Sequence, residues 1–254
     1  MIRVHHLSIH LGGRPVVDQL DAAFTPGRVT AILGPNGAGK TSLLRAILGL
    51  VPFGGAITLD GDLIAGLSRD LRARRLGYLA QFGAESWNLS VEELVMLGRA
   101  PYRHVARAPS PADHAAVEQA LSATDTVGFA ARRINDLSGG ERARVQFARV
   151  LATQPDWMLI DEPLNHLDPL HQRNMMRLMR AQAERGVGVI VVLHDLNAAA
   201  AVADDVLLLR EGKVVVQGRA ADVLTRAYLE STYDLVFDVS TTVSGQMQIT
   251  ARAD

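Results

Sequence analysis

Apolar residues along the chain occur in short runs that end at polar or glycine residues. Four of these runs are Val29–Leu33, Leu76–Ala80, Trp157–Ile160 and Val187–Leu193. Runs of about four to eight largely apolar residues bounded by turn signals are typical of strands buried on both faces. Segments with helical spacing lie between them, so the pattern predicts an α/β fold.

The flanking segments add shorter elements. Strands are predicted over Ile2–His10, Val16–Phe24 and Ala56–Leu59, and the charged segment Arg69–Arg75 is predicted to be helical. From Phe82 to about Asn135 strand signals are absent from the sequence and helix signals take over. This block therefore reads as a helical insertion in the α/β core.

Two helix starts in this block are marked by their capping residues. Ser90 is followed by Val91, Glu92 and Glu93, which is a capping box, and Ser110 is followed by a proline at the first helical position. Phe82 and Trp87 lie in the polar stretch before the first of these helices. We weigh two equal interpretations for them: they line a groove that receives a partner helix, or they close the core beneath the insertion.

The last part of the chain alternates short strands and helices. Val206–Leu209 and Val214–Gln217 are predicted strands joined by a hairpin turn at Glu211 and Gly212, and Ala220–Tyr233 is predicted to be one helix. From Phe237 to Thr250 the pattern is thin. It predicts no element and no function there.

The run Val29–Leu33 leads into a glycine-rich loop, Gly34–Thr41, that fits G-x-x-x-x-G-K-[ST] and opens into an amphipathic helix. A strand before this pattern and a helix after it indicate a phosphate-binding loop, in which backbone N–H groups surround an anion. Lys40 would reach the β- and γ-phosphates of a nucleotide, and the Thr41 hydroxyl would ligate Mg²⁺. The residues predicted to bind ATP are Gly34, Pro35, Asn36, Gly37, Ala38, Gly39, Lys40, Thr41 and Ser42.

Polar residues follow two of the predicted core strands at their carboxyl ends, where open parallel sheets bind ligands. Asp161 and Glu162 follow one strand, and His194 follows another. Asp161 can hold Mg²⁺, and Glu162 can polarise a water for attack on the γ-phosphate. The alternative for Asp161 and Glu162 is a simple strand-ending turn, which the phosphate loop makes the weaker reading. No chemistry is assigned to the remaining histidines, which are His5, His6, His10, His104, His114, His166 and His171.

A second helix start also has the residues of a phosphate site. Ser138, Gly139, Gly140 and Glu141 spell S-x-x-E before the helix Arg142–Ala152, which on its own is a capping box. Two glycines at a helix N-terminus can also expose backbone amides to an anion. Asp168 is predicted to be the N-cap of a further helix, with proline at the first helical position.

Composition narrows the function classes. The formal net charge of −1, from 26 Lys and Arg against 27 Asp and Glu, gives no overall electrostatic case for nucleic-acid binding. The chain has no cysteine, which excludes disulfides and thiolate metal sites. Neither a signal-peptide pattern nor an apolar run near the ~18 residues of a membrane span is found. We therefore expect this chain not to form a membrane pore by itself.

Taken together and in order, these segments resemble the ATP-binding-cassette (ABC) ATPases over nearly the whole chain. Gly34–Thr41 is similar to the Walker A loop, Gln81 to the Q-loop, Leu137–Glu141 to the LSGGQ-type signature, Trp157–Glu162 to Walker B, Asn165–Asp168 to the D-loop and His194 to the switch histidine. The resemblance implies a P-loop NTPase (RecA-like) mixed-sheet core with an antiparallel β edge and an inserted α-helical subdomain. The nucleotide-binding core would comprise residues 1–82 and 136–254, and the insertion 83–135.

The resemblance also implies an activity and residue roles. The chain would hydrolyse ATP with Mg²⁺, with Glu162 as general base, His194 on the γ-phosphate, and Gln81 linking Mg²⁺ or the attacking water to the helical block. Thr41, Gln81 and Asp161 would hold the metal. Two copies would form a homodimer with two shared sites, each ATP lying between one copy's Walker A loop and the signature of the other. That signature is Leu137, Ser138, Gly139, Gly140 and Glu141, and Asp168 would belong to the D-loop.

Within this family, three segments resemble the importer cassettes for iron–siderophore complexes, haem and cobalamin. They are Ser90–Arg103, Asp161–Gln172 and Leu193–Asn197. The resemblance implies integral-membrane permease subunits and a periplasmic or extracellular substrate-binding protein as separate chains, with this chain on the cytoplasmic face of the inner membrane. It leaves open another transported substrate or export.

The chain departs from the family pattern in three ways. His10 or Leu11 stands where many cassettes carry an adenine-stacking tyrosine, which leaves the base contact open. Glu141 replaces the glutamine of the signature, and Leu164 with Asn165 replaces a common threonine–serine pair. We expect these last two departures to cost no catalytic group.

Two other function classes share part of this pattern. A P-loop kinase would use the same phosphate loop but has no use for Leu137–Glu141 or for His194 at its strand end. A soluble cassette protein that acts on ribosomes or DNA usually carries two cassettes or a long coiled-coil insertion, and neither is visible in this sequence. Acceptor-independent phosphate release tests the first class, and co-purification with a permease tests the second.

Overall fold

A six-stranded mixed sheet forms the centre of the computed structural model, which describes residues 1–81, 88–103, 108–243 and 245–252. Its strands, from edge to edge, are β10 (Lys213–Arg219), β9 (Asp205–Arg210), β3 (Val29–Leu33), β8 (Gly188–Val192), β7 (Trp157–Asp161) and β6 (Leu76–Leu79). The five strands from β9 to β6 run parallel, and β10 pairs antiparallel with β9. Strands β3, β7 and β8 are buried at every position, as their apolar runs predicted.

A second, antiparallel sheet covers one face of this centre. It contains, in spatial order, β2 (Arg14–Phe24), β1 (Ile2–Leu11), β4 (Gly54–Leu59) and the short β5 (Asp62–Leu63). Helix α1 (Lys40–Ile47) packs in the same apolar cluster as both sheets, with Leu43, Leu44 and Ile47 fully buried. The predicted mixed sheet with an antiparallel β edge is therefore confirmed.

Helices cover the opposite face of the central sheet. They include α5 (Gly139–Ala152), α6 (Pro169–Glu184) and α7 (Leu196–Val202). Phe147, Met175, Met179 and Ala199 from these helices share a second apolar cluster with the other face of the central strands. The carboxyl ends of the central strands are thus held between two packed layers.

The middle of the chain forms a third apolar cluster. It is built by α3 (Val91–Met96), α4 (Pro111–Ala123) and one face of α5, and α3 is followed by a 3₁₀ helix at Leu97–Tyr102. The predicted capping box at Ser90 is present, and Ser110 caps α4 with proline in the first turn. Helix α2 (Arg69–Arg75) lies earlier in the chain, as predicted. The insertion boundaries at residues 83 and 135 stay a prediction.

The C-terminal part differs from its prediction in two ways. Ala220–Tyr233 is two helices, α8 (Ala220–Val223) and α9 (Arg226–Tyr233), because Leu224 leaves helical geometry with ψ of 54° and is buried to 1% exposure. The segment without a predicted element forms an antiparallel hairpin of β11 (Phe237–Thr241) and β12 (Met247–Ala251), called here the C-terminal hairpin. Phe237 and Ile249 are its buried residues.

The turn at Glu211 and Gly212 joins β9 and β10 with positive φ at both residues, as a hairpin turn requires. Phe82, Trp87 and His104 lie outside the described residues. No helix within the described ranges combines the length and apolar content needed to span a bilayer.

Candidate functional site

The candidate site lies where four adjacent parallel strands end. In spatial order, β3 leads into the phosphate loop (Gly34–Thr41), β8 leads to His194, β7 to Glu162 and β6 to Gln81. Parallel neighbours have their carboxyl ends on the same edge of the sheet, and loops there are the usual ligand sites of such folds. The fold therefore gathers side chains that are far apart in the sequence.

Glycine is required at the start of the phosphate loop for a steric reason. Gly34 has φ of +149°, and a Cβ atom built on it would lie 2.1 Å from the carbonyl oxygen of Leu209 on β9. Gly37 and Gly39 also have positive φ, of 81° and 95°. These conformations are open to glycine at little cost. They turn the chain sharply from β3 into α1.

The Lys40 side chain points back into the phosphate loop. Its Nζ donates to the carbonyl oxygens of Gly34 at 2.7 Å and Pro35 at 2.9 Å, and the residue is 6% exposed. Burial lowers the pKa of Lys40, and the carboxylates of Glu162 and Asp161 oppose this shift. The ammonium is thus a nearly buried positive charge at the centre of the loop, which suits a site for an anion.

Thr41 and Asp161 form the link between α1 and β7. The Thr41 hydroxyl donates to Asp161 Oδ1 at 3.0 Å, and Asp161 is 2% exposed. Burial raises the pKa of Asp161 and the charge of Glu162 adds to this, while the Thr41 hydrogen bond and Arg45 act against it. A hydroxyl and a carboxylate at this separation are hard oxygen donors of the type that Mg²⁺ binds, usually together with water and phosphate oxygens.

Glu162 is the meeting point of the site. Its Oε2 accepts hydrogen bonds from Gln81 Nε2 at 2.9 Å and Asn165 Nδ2 at 2.6 Å, and His194 Nε2 contacts its Oε1. The Glu162 side chain is 14% exposed. Gln81, Glu162 and His194 follow three different strands, β6, β7 and β8. The fold therefore brings these three side chains together.

A small depression lies beside these groups. It has a volume of about 180 Å³ and is lined by Val16, residues 36–42, Glu162 and His194. His10 and Leu11, the predicted positions for a base contact, are exposed at the end of β1 and do not line it. Val16 does line it, although nothing in the sequence pattern separated this residue from the other apolar residues of β2.

The signature segment (Leu137–Glu141) is not among the residues that line this depression. Ser138 caps α5: its hydroxyl accepts from the Glu141 amide at 3.3 Å, and Glu141 Oε2 accepts from the Ser138 amide at 2.8 Å. This second bond lowers the pKa of Glu141, so the carboxylate that replaces glutamine still caps the helix. The segment is presented to solvent at the start of α5, with Ser138 and Gly139 exposed.

Asp168 is connected to the signature segment through a histidine that had no predicted role. Asp168 caps α6: its Oδ1 accepts a hydrogen bond from the backbone amide of His171 at 2.9 Å and is hydrogen-bonded to Nδ1 of the His171 ring at 2.8 Å. A Cβ atom on Gly140 would lie 1.7 Å from the His171 ring. Gly140 is therefore glycine because the His171 ring occupies that space.

Comparison with known proteins identifies the family. The family model described as ABC transporter matches residues 17–165, which is more than half of the chain. The chain belongs to the ABC transporter ATPases. As an ABC ATPase it binds and hydrolyses ATP, which agrees with the activity implied by the sequence motifs.

Two relatives cover most of this ABC ATPase. A hemin import ATP-binding protein, HmuV, of Streptomyces coelicolor is 44% identical over 234 residues, covering 92% of this chain and 83% of the relative. A protein of the same name from Jannaschia sp. is 40% identical over 253 residues, covering 96% and 92% of the two chains.

Two solved structures have the same fold. A metal-chelate type ABC transporter in an inward-facing conformation superposes with a TM-score of 0.87 at 24% identity, covering 99% of this chain and 97% of that chain. A dimeric bacterial ABC transporter cassette gives a TM-score of 0.75 at 26% identity, over 87% and 99% of the chains. The predicted P-loop NTPase fold is confirmed by these likenesses.

Sequence reasoning missed one polar neighbour of Glu162. The departure of Leu164 and Asn165 from the family pattern was expected to cost no catalytic group, yet Asn165 Nδ2 donates to Glu162 Oε2 at 2.6 Å. The signal available was position: Asn165 follows the Asp161–Glu162 pair within the loop between β7 and α6. The loop turns back on itself, and the backbone amide of Asn165 donates to the backbone carbonyl of Glu162 at 3.4 Å.

Proposed function

We propose that this chain is the ATP-hydrolysing subunit of an importer for haem or a related iron chelate. The hydrolytic part rests on one observation, the convergence of Gln81, Asn165 and His194 on the Glu162 carboxylate beside the phosphate loop. The substrate part rests on relatives that are named for hemin import and match more than nine-tenths of the chain. Cobalamin is the alternative cargo.

The phosphate loop and Lys40 bind the triphosphate in this account. The amides at the start of α1 face the anion, and the Lys40 ammonium exchanges the carbonyls of Gly34 and Pro35 for phosphate oxygens. Thr41 and Asp161, joined at 3.0 Å, hold Mg²⁺, and Gln81 is the further candidate ligand. A bound Mg²⁺ would neutralise charge that develops on the β- and γ-phosphate oxygens.

Glu162 takes the proton in hydrolysis. A water oxygen attacks the γ-phosphorus, the water's proton passes to the Glu162 carboxylate, and the bond to the β-phosphate oxygen breaks to leave ADP and phosphate. His194 Nε2 contacts Glu162 Oε1 and would turn to a γ-phosphate oxygen. That change frees one carboxylate oxygen for the water, so arrival of the γ-phosphate and activation of the base are coupled.

Two copies complete the site. The depression at one phosphate loop is about 180 Å³, below the roughly 300 Å³ at which pockets begin to enclose a small ligand. The signature segment lies elsewhere on the same chain, with Ser138 and Gly139 exposed at a helix N-terminus. A homodimer in which each signature segment covers the other copy's phosphate loop would supply the missing wall twice, in an isologous arrangement.

The remaining partners follow from the importer assignment. Permease subunits would carry the substrate path, with this chain bound at the cytoplasmic face of the membrane and a periplasmic or extracellular protein delivering cargo. Closure of the dimer at the ATP sites would change the conformation of the permease, because the helical block would contact it. Of the two equal interpretations of Phe82 and Trp87, the one in which they line a groove for a permease helix belongs to this part of the proposal.

Haem uptake by the reconstituted transporter tests the cargo. Vesicles that contain the permease, the binding protein and this chain should take up haem only when Mg²⁺ and ATP are supplied on the side of this chain. Uptake of cobalamin in place of haem would contradict the cargo and leave the ATPase assignment standing.

Turnover of the Glu162→Gln variant tests the hydrolytic assignment. The variant should keep ATP binding and lose turnover by about 100-fold or more, since general-base catalysis contributes about 10²- to 10⁴-fold. Glu118→Gln, which removes an exposed carboxylate on α4, is the matched control and should turn over normally. Near-normal turnover by Glu162→Gln would contradict the role of Glu162.

A further inference from the structure

The C-terminal hairpin docks on the helix that follows His194. Its residues Phe237 and Ile249 are 4% and 5% exposed, and they share an apolar cluster with Ala199 and Val202 of α7. The sequence predicted neither an element nor a function for this segment. Its buried face shows that it is an integral part of the ATPase core.

One side chain joins the hairpin to α7 by two hydrogen bonds. The side-chain nitrogen Nδ2 of Asn197 donates to the Ile249 carbonyl at 2.9 Å, and the backbone amide of Ile249 donates to Asn197 Oδ1 at 2.8 Å. A carboxamide that pairs with both backbone groups of one residue imitates a neighbouring strand. Such a pair fixes both the position and the orientation of Asn197 relative to β12.

Asn197 lies in the first turn of α7, close in the chain to the loop between β8 and α7 that carries His194. His194 immediately precedes Asp195, whose Oδ1 accepts from the amides of Asn197 at 2.7 Å and Ala198 at 3.2 Å. Helix α7 has seven residues, and a helix of this length depends on tertiary contacts because it is unstable alone. The position of His194 therefore depends on what holds the start of α7.

We propose that the C-terminal hairpin is a clamp that holds the His194 loop in the position needed for ATP hydrolysis, with Asn197 as the positioning residue. The inference rests on the proposed role of His194 in hydrolysis. The backbone before His194 is fixed at the end of β8, because the amide of Leu193, which follows β8, donates to the Ile32 carbonyl of β3 at 3.3 Å. Asn197 fixes the backbone after it, so the histidine is held from both sides.

The chain contains a matched control for this contact. Gln217 on β10 makes the same pair of bonds to the backbone of Ala23, at 3.2 Å from the Ala23 amide and 2.5 Å to its carbonyl. That contact joins β10 to β2 and involves no residue of the candidate site. A variant of Gln217 thus measures what the loss of a carboxamide–backbone pair costs when His194 is not involved.

The test measures ATP turnover by the purified full-length chain. Asn197→Leu keeps the size of the side chain and removes both bonds; it should lower kcat by about 10-fold or more with the KM for ATP within about twofold, since misplacing a reacting group by about 1 Å can cost about 100-fold. Asn197→Asp, which turns a carboxylate oxygen toward the Ile249 carbonyl, should act in the same direction. Gln217→Met should leave kcat and KM unchanged.

A double variant separates positioning from general stability. If Asn197 acts through His194, Asn197→Leu should add no further loss in a His194→Ala background, because contacts that act through one group are not additive. An equal loss in both backgrounds overturns the clamp, as does an Asn197→Leu or Asn197→Asp kcat within about twofold of wild type. Normal turnover by His194→Ala itself would instead overturn the role proposed for His194.

Discussion

Glu162 lies in the left-handed region of backbone space, with φ of 52°, at the junction between β7 and the loop to α6. Such a conformation costs a non-glycine residue of order 1 kcal/mol or more and persists where the surroundings impose it. Here the Glu162 amide is bonded to the Val192 carbonyl of β8 at 3.2 Å. The turn directs the carboxylate toward the phosphate loop, where Gln81, Asn165 and His194 meet it.

The first glycine of the phosphate loop gives a steric prediction. Gly34→Ala should destabilise the protein by about 2 kcal/mol or more, because its Cβ would lie 2.1 Å from the Leu209 carbonyl oxygen. Gly37→Ala is the control: it also has positive φ, but its Cβ meets no atom within 4 Å, so it should cost about 1 kcal/mol. Denaturant unfolding of the two variants measures the difference, and equal losses would contradict the clash.

Asp113 gives a prediction for acid conditions. Hydrogen bonds from Ser110, and the adjacent Arg99 at 2.9 Å, lower the pKa of Asp113 from its ordinary 3.8 to about 2. Because the pKa is depressed in the folded state, this carboxylate stabilises the protein above pH 3.8, and the contribution is lost as the pH falls toward about 2. This contribution to the free energy of unfolding amounts to up to about 2 kcal/mol, at 1.36 kcal/mol per pKa unit.

The Asp113→Asn variant measures this contribution. It should be less stable than wild type near neutral pH. The difference in free energy of unfolding between the two proteins, called here the gap, should shrink by up to about 2 kcal/mol between about pH 5 and about pH 2. Asp125→Asn removes a fully exposed carboxylate and should show a small gap that hardly changes. A gap for Asp113→Asn that stays constant over this range would contradict the assignment.

At this scale the sequence predicted residues that belong to motifs and missed those that act through folding of the chain. Lys40, Thr41, Asp161, Glu162 and His194 were predicted from spacing and strand ends, Gln81 was predicted from the family resemblance, and the structure brings these side chains together. Asn165, Val16 and His171 were not, because their contacts depend on how a loop turns or which strand lies nearby. No periodicity records such a contact.

At the scale of elements, two helices begin with the same capping box but face different surroundings. Ser90 caps α3 and Ser138 caps α5, each with a glutamate three residues later that bonds back to the serine amide. The chemistry of the two caps is equal, so their effects on stability should be similar. Their effects on activity should differ, because the proposal gives only Ser138 a place in the shared ATP site.

Serine-to-alanine variants test this difference. Ser90→Ala and Ser138→Ala should each lower stability by about 1 kcal/mol, the usual cost of a lost N-cap. Only Ser138→Ala should lower ATP turnover, by more than its stability loss explains. Unfolding curves and steady-state ATPase rates on the same samples give both quantities, and equal turnover in the two variants would speak against a role for the signature segment.

Element prediction succeeded where local signals were strong and failed at the C-terminus. Apolar runs predicted β3, β7 and β8, and capping residues predicted the starts of α3, α4, α5 and α6. The break at Leu224 was missed because the burial of this residue depends on the sheet below it. The C-terminal hairpin was missed because it packs on α7, through Asn197 and the apolar cluster, and that contact is invisible in the local sequence pattern.

At the scale of the whole molecule, the two segments that the proposal joins into one ATP site are apart within a single chain. The phosphate loop, Asp161 and Glu162 lie at the strand ends, whereas the signature segment begins α5 and does not line the same depression. The dimerisation across ATP that we propose would account for this separation. ATP would favour the closed dimer through its contacts with both copies, and hydrolysis would remove those contacts.

The most direct test is the molar mass in solution of the Glu162→Gln chain with Mg²⁺ and ATP. By light scattering coupled to size-exclusion chromatography, the variant should have the mass of one chain without nucleotide and of two chains with it, since bound ATP is no longer split. Ser138→Arg in the same background, which places a bulky cation in the signature segment, should stay at one chain. A Glu162→Gln chain that stays at the mass of one chain under saturating Mg²⁺ and ATP would contradict the shared site.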